Sequence, residues 1–340
     1  MTSFNREKAA PLAIAVSASV LAAVTAAAFL VGSSSVSLGD LVAWATGGDV
    51  SASAKSILVN VRLPRVLCVA LTGASLSVCG AAMQGLLKNP LADGSTLGVS
   101  SGASLGAVIS IAFGITLPGI PLAGTMSMAM LFAFLSLVVI LGLAYRLDGS
   151  LSTGTIILIG VIYSMFVSSV LSLVITFAPD KVQSITFWTM GSLAGRGYVH
   201  VLVLLGALVV FGGVLFGCAR ELNAFAVGED NARHIGVNVR RVKLTVMIAV
   251  SALIGVCVSV GGTIGFVGLV TPHMVRLITG PNHRRLLPAS AFGGAIFLML
   301  CDLLARTLFD PRELPVGVVT SFIGSILFVV IFIRTRRGEK

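Results

Sequence analysis

Charge is what this sequence has least of. Only 11% of its 340 residues are charged while 56% are hydrophobic, and the mean hydropathy is +1.03. A soluble domain carries about 25% charged residues, so a water-solvated globular protein is excluded. Sustained apolar/polar alternation is missing too, which excludes a membrane β-barrel. Glycine is never followed by lysine, so no G-x-x-x-x-G-K-[ST] phosphate loop exists, and any ATP-driven step needs a motor on another chain. The glycine-rich stretch 261–268 lacks that lysine and reads instead as the broken end of one membrane helix turning into the next. Cys68, Cys79, Cys218, Cys257 and Cys301 sit singly in apolar runs without C-x-x-C spacing, as buried apolar side chains do. His200, His234, His273 and His283 form no H-E-x-x-H pair, so no metal site is assigned.

What is present in abundance is membrane-length apolar sequence. Ten runs stand out, at 12–31, 63–87, 95–113, 122–145, 155–177, 199–218, 242–260, 264–278, 287–308 and 316–333. In lipid every backbone polar group must be satisfied internally, so each run is expected to be helical. The third and eighth are short and glycine-rich, hence tilted, broken or partly spanning. The first could be a signal peptide with Ala26–Ala28 as its cleavage region, but its length and the spans that follow favour a retained helix. No soluble domain interrupts the series, so residues 1–340 are read as one all-α polytopic domain of about ten transmembrane helices.

An even count places both termini on one side. With that side cytoplasmic, it holds sixteen of the twenty-three Lys and Arg residues, from Arg6 and Lys8 through Lys88, Arg240, Arg241 and Lys243 to Lys340. The other side keeps Lys55, Arg62, Arg65, Lys181, Arg196, Arg306 and Arg312. This positive-inside bias explains the net charge of +10 without nucleic-acid binding.

Gly94, Gly98, Gly102 and Gly106 recur every fourth residue and are expected to line a helix face that packs closely on a neighbour. Gly160, Ser164, Ser168, Ser172 and Thr176 form a hydroxyl-bearing stripe that faces either another helix or an aqueous path. Asp302 and Arg306, at i,i+4, are the one oppositely charged pair inside an apolar run and read as a local helix salt bridge. Proton- or sodium-coupled carriers place acidic relays near the midplane, and their scarcity here disfavours that class, which stands as the alternative.

The pattern L-x-G-x-x-L-x-x-x-G-x-x-M-Q-x-x-x-K-N-P-L-A-D over 71–93 resembles the permeases of ABC importers for iron-siderophores, haem and cobalamin. F-W-T-M-G-S-L at 187–193, G-F-V-G-L-V-T-P-H-M-V-R at 265–276 running on to R-L-L-P at 285–288, and L-P-V-G-V-V-T at 314–320 extend the likeness over nearly the whole chain after the first helix. Lys88 stands where that family often has Arg, Gly94 where it often has Pro, and Gly324-Ser325-Ile326 where a Pro often follows the Gly.

The resemblance implies the ten-helix type II importer permease fold, paired with a second copy or a homologous permease, in a bacterial cytoplasmic (inner) membrane with both termini cytoplasmic. It implies separate ABC ATPase subunits that use ATP and Mg, an extracytoplasmic substrate-binding protein, and no cofactor on this chain. A coupling segment falls at about 220–240: Leu222 opens it, Gly228, Ala232 and Gly236 lie on one helical face that seats in an ATPase groove, and Glu229, Asp230 and Arg233 make edge contacts. Arg62, Arg65 and Arg306 match arginines offered to the binding protein, for which the bidentate guanidinium suits carboxylates. The inner gate falls at Ser152 and Thr153, with the stripe on the fifth helix as path. Ferric siderophore is the expected cargo, with haem and cobalamin as the alternatives.

Overall fold

A computed structural model of the chain describes residues 3–30, 39–40, 43, 46–116, 123–149 and 151–338. Among these every regular element is helical: α1 (Ser3–Leu30), α2 (Ala52–Leu87), α3 (Val99–Ala112), α4 (Ala123–Leu147), α5 (Thr153–Thr176), α6 (Val182–Thr189), α7 (Tyr198–Gly217), α8 (Ala219–Phe225), α9 (Glu229–His234), α10 (Val239–Gly261), α11 (Val267–Thr279), α12 (His283–Thr307) and α13 (Val316–Gly338). The ten apolar runs fall on α1 to α5, α7 and α10 to α13. Six of these, α2, α4, α5, α7, α10 and α12, are long and apolar enough to cross a bilayer. The 14-residue α3 and the 13-residue α11 rise only about 20 Å, short of the roughly 30 Å hydrocarbon core. Lys340, among the residues in the charge tally, lies outside the described residues.

Helix ends follow local chemistry. Ser152 caps α5 by accepting the Thr155 amide, Asn238 caps α10 by accepting that of Arg241, and Asn282 caps α12 by accepting that of Arg284. The glycine-rich 261–268 stretch does break the helix, because Gly262 at φ 70° and Phe266 at φ 66° turn the chain out of α10 and into α11.

α2 and α10 form the interior: 78% of the apolar window of each is buried, against 22% for α5. α2 runs antiparallel to α12, with His283 beside Gly85 at one end and Asp302 beside Arg65 at the other. Between these points Gly73 and Gly294 meet backbone to backbone, and Gly80 meets Gly268 of α11 in the same way. A Cβ on any of the four would lie closer to the facing carbonyl than real atoms allow. In lipid such close approach stands in for the missing hydrophobic drive.

At the end where α1 and α12 finish and α2 begins, buried charge ties the three helices together. The Asp302 carboxylate accepts from Arg65 at 3.0 Å and from Arg306 at 3.1 Å, and Arg65 also reaches Glu313 at 2.8 Å. Arg306 donates to the Ala28 carbonyl at 3.1 Å, and Arg62 donates to those of Phe29 at 2.9 Å and Leu30 at 3.2 Å. The pair at 302 and 306 is therefore part of a four-residue network rather than a local salt bridge alone.

Two outcomes follow from this packing. Gly80→Leu forces α2 off α11 and lowers the melting temperature of the purified protein, equivalent to about 1–3 kcal/mol of overpacking, whereas Gly142→Ala, with open space around it, melts as wild type. Asp302→Ala leaves the buried Arg306 guanidinium without its carboxylate, while Arg65 keeps Glu313, and costs about 3–5 kcal/mol; Glu313→Ala, at the half-exposed edge, costs less than about 1 kcal/mol.

Candidate functional site

Three motifs far apart in the sequence converge. The 187–193 segment ends α6 and turns at Gly191 with φ 75°, where the Ser192 amide donates to Gly261 at 2.7 Å. The Thr263 hydroxyl donates to the carbonyl of Thr189, and Gly317, opening α13, packs on the carbonyls of Met190 and Thr263. The bend 262–266 is thus clamped between α6 and α13, and its glycines are required because a Cβ at 191, 262 or 317 would strike backbone.

That bend walls a cavity of about 420 Å³. Ser100, Ser101 and Ser104 of α3, Thr263, Ser321 of α13 and the carboxylate-bearing Asp93 give it a hydroxyl-rich lining, with Ile254 and Val258 of α10 supplying apolar wall. Sequence reasoning passed over these serines, although the 99–104 run V-S-S-G-A-S carried a signal: three hydroxyls gathered at the start of a helix that has only Ser110 besides.

The glycine ladder does not run down one helix. Gly102 and Gly106 lie in α3 and abut Phe132, Ser136 and Met128 of the antiparallel α4, but Gly98 turns the chain at φ 71° and Gly94, ahead of that turn, faces Ile254. The α5 stripe divides as well. Gly160 is buried close to Gly98 and Ser164 is half-buried, whereas Ser168, Ser172 and Thr176 are exposed on this chain. Ser172 and Thr176 donate to the carbonyls four residues back, at 3.0 and 2.8 Å, so their protons need neither a neighbouring helix nor water. Ser152 and Thr153 open α5, fixed by Asp148, whose carboxylate accepts the Ser152 amide at 3.0 Å.

At the opposite end from the arginine network, α8 and α9 project between α7 and α10. Asn223 anchors α8, its side-chain oxygen 2.8 Å from the amide and 2.9 Å from the Nδ1 of His283. Expecting Gly228, Ala232 and Gly236 on one helical face is overturned here. The helix spans only Glu229–His234, Gly228 and Gly236 flank it at φ 113° and 90°, and Ala232 is wholly buried, as is Leu222. Outward-facing residues are instead Val227, Asp230, Asn231, Arg233, His234 and Ile235, with Arg233 and Asp230 paired at 3.1 Å. Glu229 turns inward to Lys243, which is buried in the first turns of α10.

The arginines matched to docking are likewise turned inward: Arg62 is 4% and Arg306 3% exposed, and the Arg65 side chain is held by Asp302 and Glu313. The physical reason is the carbonyls left open at the end of α1, which take the guanidinium donors of Arg62 and Arg306.

Comparison with known proteins adds the lineage. The FecCD transport family matches residues 20–334. An uncharacterized ABC transporter permease, YvrB of Bacillus subtilis, is 46% identical over 84% of this chain and 81% of its own. The hemin transport system permease HmuU of Yersinia pestis is 39% identical over 82% of this chain and 84% of its own, and the cobalamin import system permease BtuC of Halobacterium salinarum is 38% identical over 82% and 74%. A metal-chelate type ABC transporter solved in an inward-facing conformation superposes with a TM-score of 0.86 over 95% of this chain and 99% of its own, at 29% identity. On the family match and these identities, this multi-pass membrane protein belongs to the FecCD transport family of ABC transporter permeases.

Proposed function

We propose that the chain is the permease of an ATP-driven importer for metal chelates, ferric siderophores foremost, working by alternating access. The observation that carries this reading is the hydroxyl-rich cavity beside the clamped bend. Hydroxyls and apolar wall, beside the single carboxylate of Asp93, suit a cargo whose metal is already wrapped in an organic ligand, with which they make weak, reversible contacts. Haem and cobalamin, named for two of the relatives, are the other chelates such a lining would pass.

ATP and Mg act on separate ATPase subunits that seat on the exposed faces of α8 and α9, with Val227 and Ile235 as apolar contacts and Asp230 and Arg233 at the polar rim. Ser152 and Thr153 form the gate at the start of α5. The exposed flank of α5, with Met165 and Phe166 about two-thirds exposed, meets a second permease copy, and the remaining outer surface meets lipid. A binding protein docks at the opposite end, where Lys55 and Arg312 are exposed while Arg62 and Arg306 hold the helices beneath them. Both termini lie in the cytoplasm of a bacterium, with the permease in its inner membrane. An ion-coupled carrier is less well supported, because Asp302 is engaged by two arginines and Glu229 by Lys243, leaving neither acid free to relay a proton.

Uptake of radiolabelled ferric siderophores, haem and cobalamin, compared in cells with and without the gene, identifies the cargo. Loss of ferric siderophore uptake is expected; loss of haem or cobalamin uptake alone moves the assignment to that chelate, and no loss refutes import of all three. Val227→Asp with Ile235→Asp leaves folding intact, since both side chains are exposed, and strips the ATPase from the purified permease. Retention of the ATPase in that double variant places the contact elsewhere.

A further inference from the structure

Lys243 is buried with no exposed surface, one turn into α10, an uncommon site for an ammonium group. Its Nζ lies 2.8 Å from each carboxylate oxygen of Glu229 and donates to the Leu151 carbonyl at 2.8 Å. Glu229 is the first residue of α9. Leu151 immediately precedes Ser152, the cap of α5, and its backbone sits at φ 54°, a conformation non-glycine residues rarely adopt. The Leu151 side chain is 1% exposed and its amide donates to Asp148 at 2.9 Å, so the turn is held from both sides. A single ammonium therefore joins the short exposed helix to the turn that starts α5, with a charge-assisted bond and close ion pair to Glu229 on one side and a backbone bond on the other.

We propose that Lys243 is a positioning residue that transmits displacement of α9 to the entrance of α5, so that movement imposed on the exposed short helix reorients the turn at Leu151 and Ser152. The proposal deepens the importer reading and rests on it. An ammonium suits the task because it can keep both bonds while the carboxylate shifts, its three donors rotating about a flexible stem. A carbonyl that lost this donor inside the protein would go unsatisfied, so the turn follows the lysine rather than letting go of it.

The test uses the permease reconstituted with its ATPase and binding protein in vesicles, comparing wild type, Lys243→Met, Lys243→Arg and Glu229→Gln. Nitroxide labels at exposed His234 on α9 and exposed Leu158 on α5 report movement when ATP is added. In Lys243→Met the His234 label still responds, the Leu158 label does not, and cargo moved per ATP falls by about tenfold. Lys243→Arg, which keeps a cationic donor, restores part of both. Glu229→Gln, which retains an acceptor of the same size but not the charge, gives an intermediate loss and serves alone if Lys243→Met fails to fold. Equal responses of the two labels in Lys243→Met or Glu229→Gln, with wild-type cargo per ATP, overturn the proposal. Absence of ATP-dependent uptake in the wild type refutes instead the importer reading beneath it.

Discussion

Lipid is as apolar as a leucine side chain, so helices in a bilayer gain little by excluding it from between them and must be held by close backbone approach and by polar bonds. In this chain the close approach at the centre is made on α2, whose Gly73 and Gly80 lie against Gly294 of α12 and Gly268 of α11, and it recurs where Gly102 and Gly106 of α3 abut α4. Everything that follows depends on that spacing. The bend after α10 reaches the interior only because α11 can start next to α2, and the cavity opens beside that bend between Leu76, Gly268 and the serines of α3.

The two ends of the molecule are held by charge buried where helix termini leave groups open. At one end Arg62 and Arg306 fill the carbonyls that close α1, and Asp302 balances Arg306 and Arg65. At the other, Lys243 gathers Glu229 and the Leu151 carbonyl. Each buried charge has a partner, as the cost of an isolated ion in a low-dielectric interior demands. The difference lies in what is joined. The arginine end ties long helices to one another, whereas the lysine end ties a short exposed helix to a turn, the more compliant arrangement.

The helices on the ten apolar runs and the break at 261–268 were legible in the sequence, because membrane-length apolar runs and glycine clusters report on the solvent and on local backbone geometry, whereas the separate short helices α6, α8 and α9 were not. The coupling segment was legible as a place but not as a surface. Gly228 and Gly236 looked like small residues on one face, yet both stand at positive φ outside a helix of six residues, and Ala232 points inward. A spacing of four marks a common face only while the helix continues, and the same two glycines that suggested a face are the residues that bound the helix.

What the sequence by itself determined is the class of solvent, the order of the spans, the absence of a nucleotide loop and the glycines that let backbones meet, all properties carried by neighbours in the chain. Only the tertiary structure decided which charged groups face inward and which serines share a cavity. Arg62 finds its acceptors 33 and 32 residues away, Arg65 finds Glu313 at a separation of 248, and Lys243 finds Leu151 at 92. An ion's partner in the interior is set by where the helices cross, and crossing is a long-range outcome of packing that no local pattern encodes.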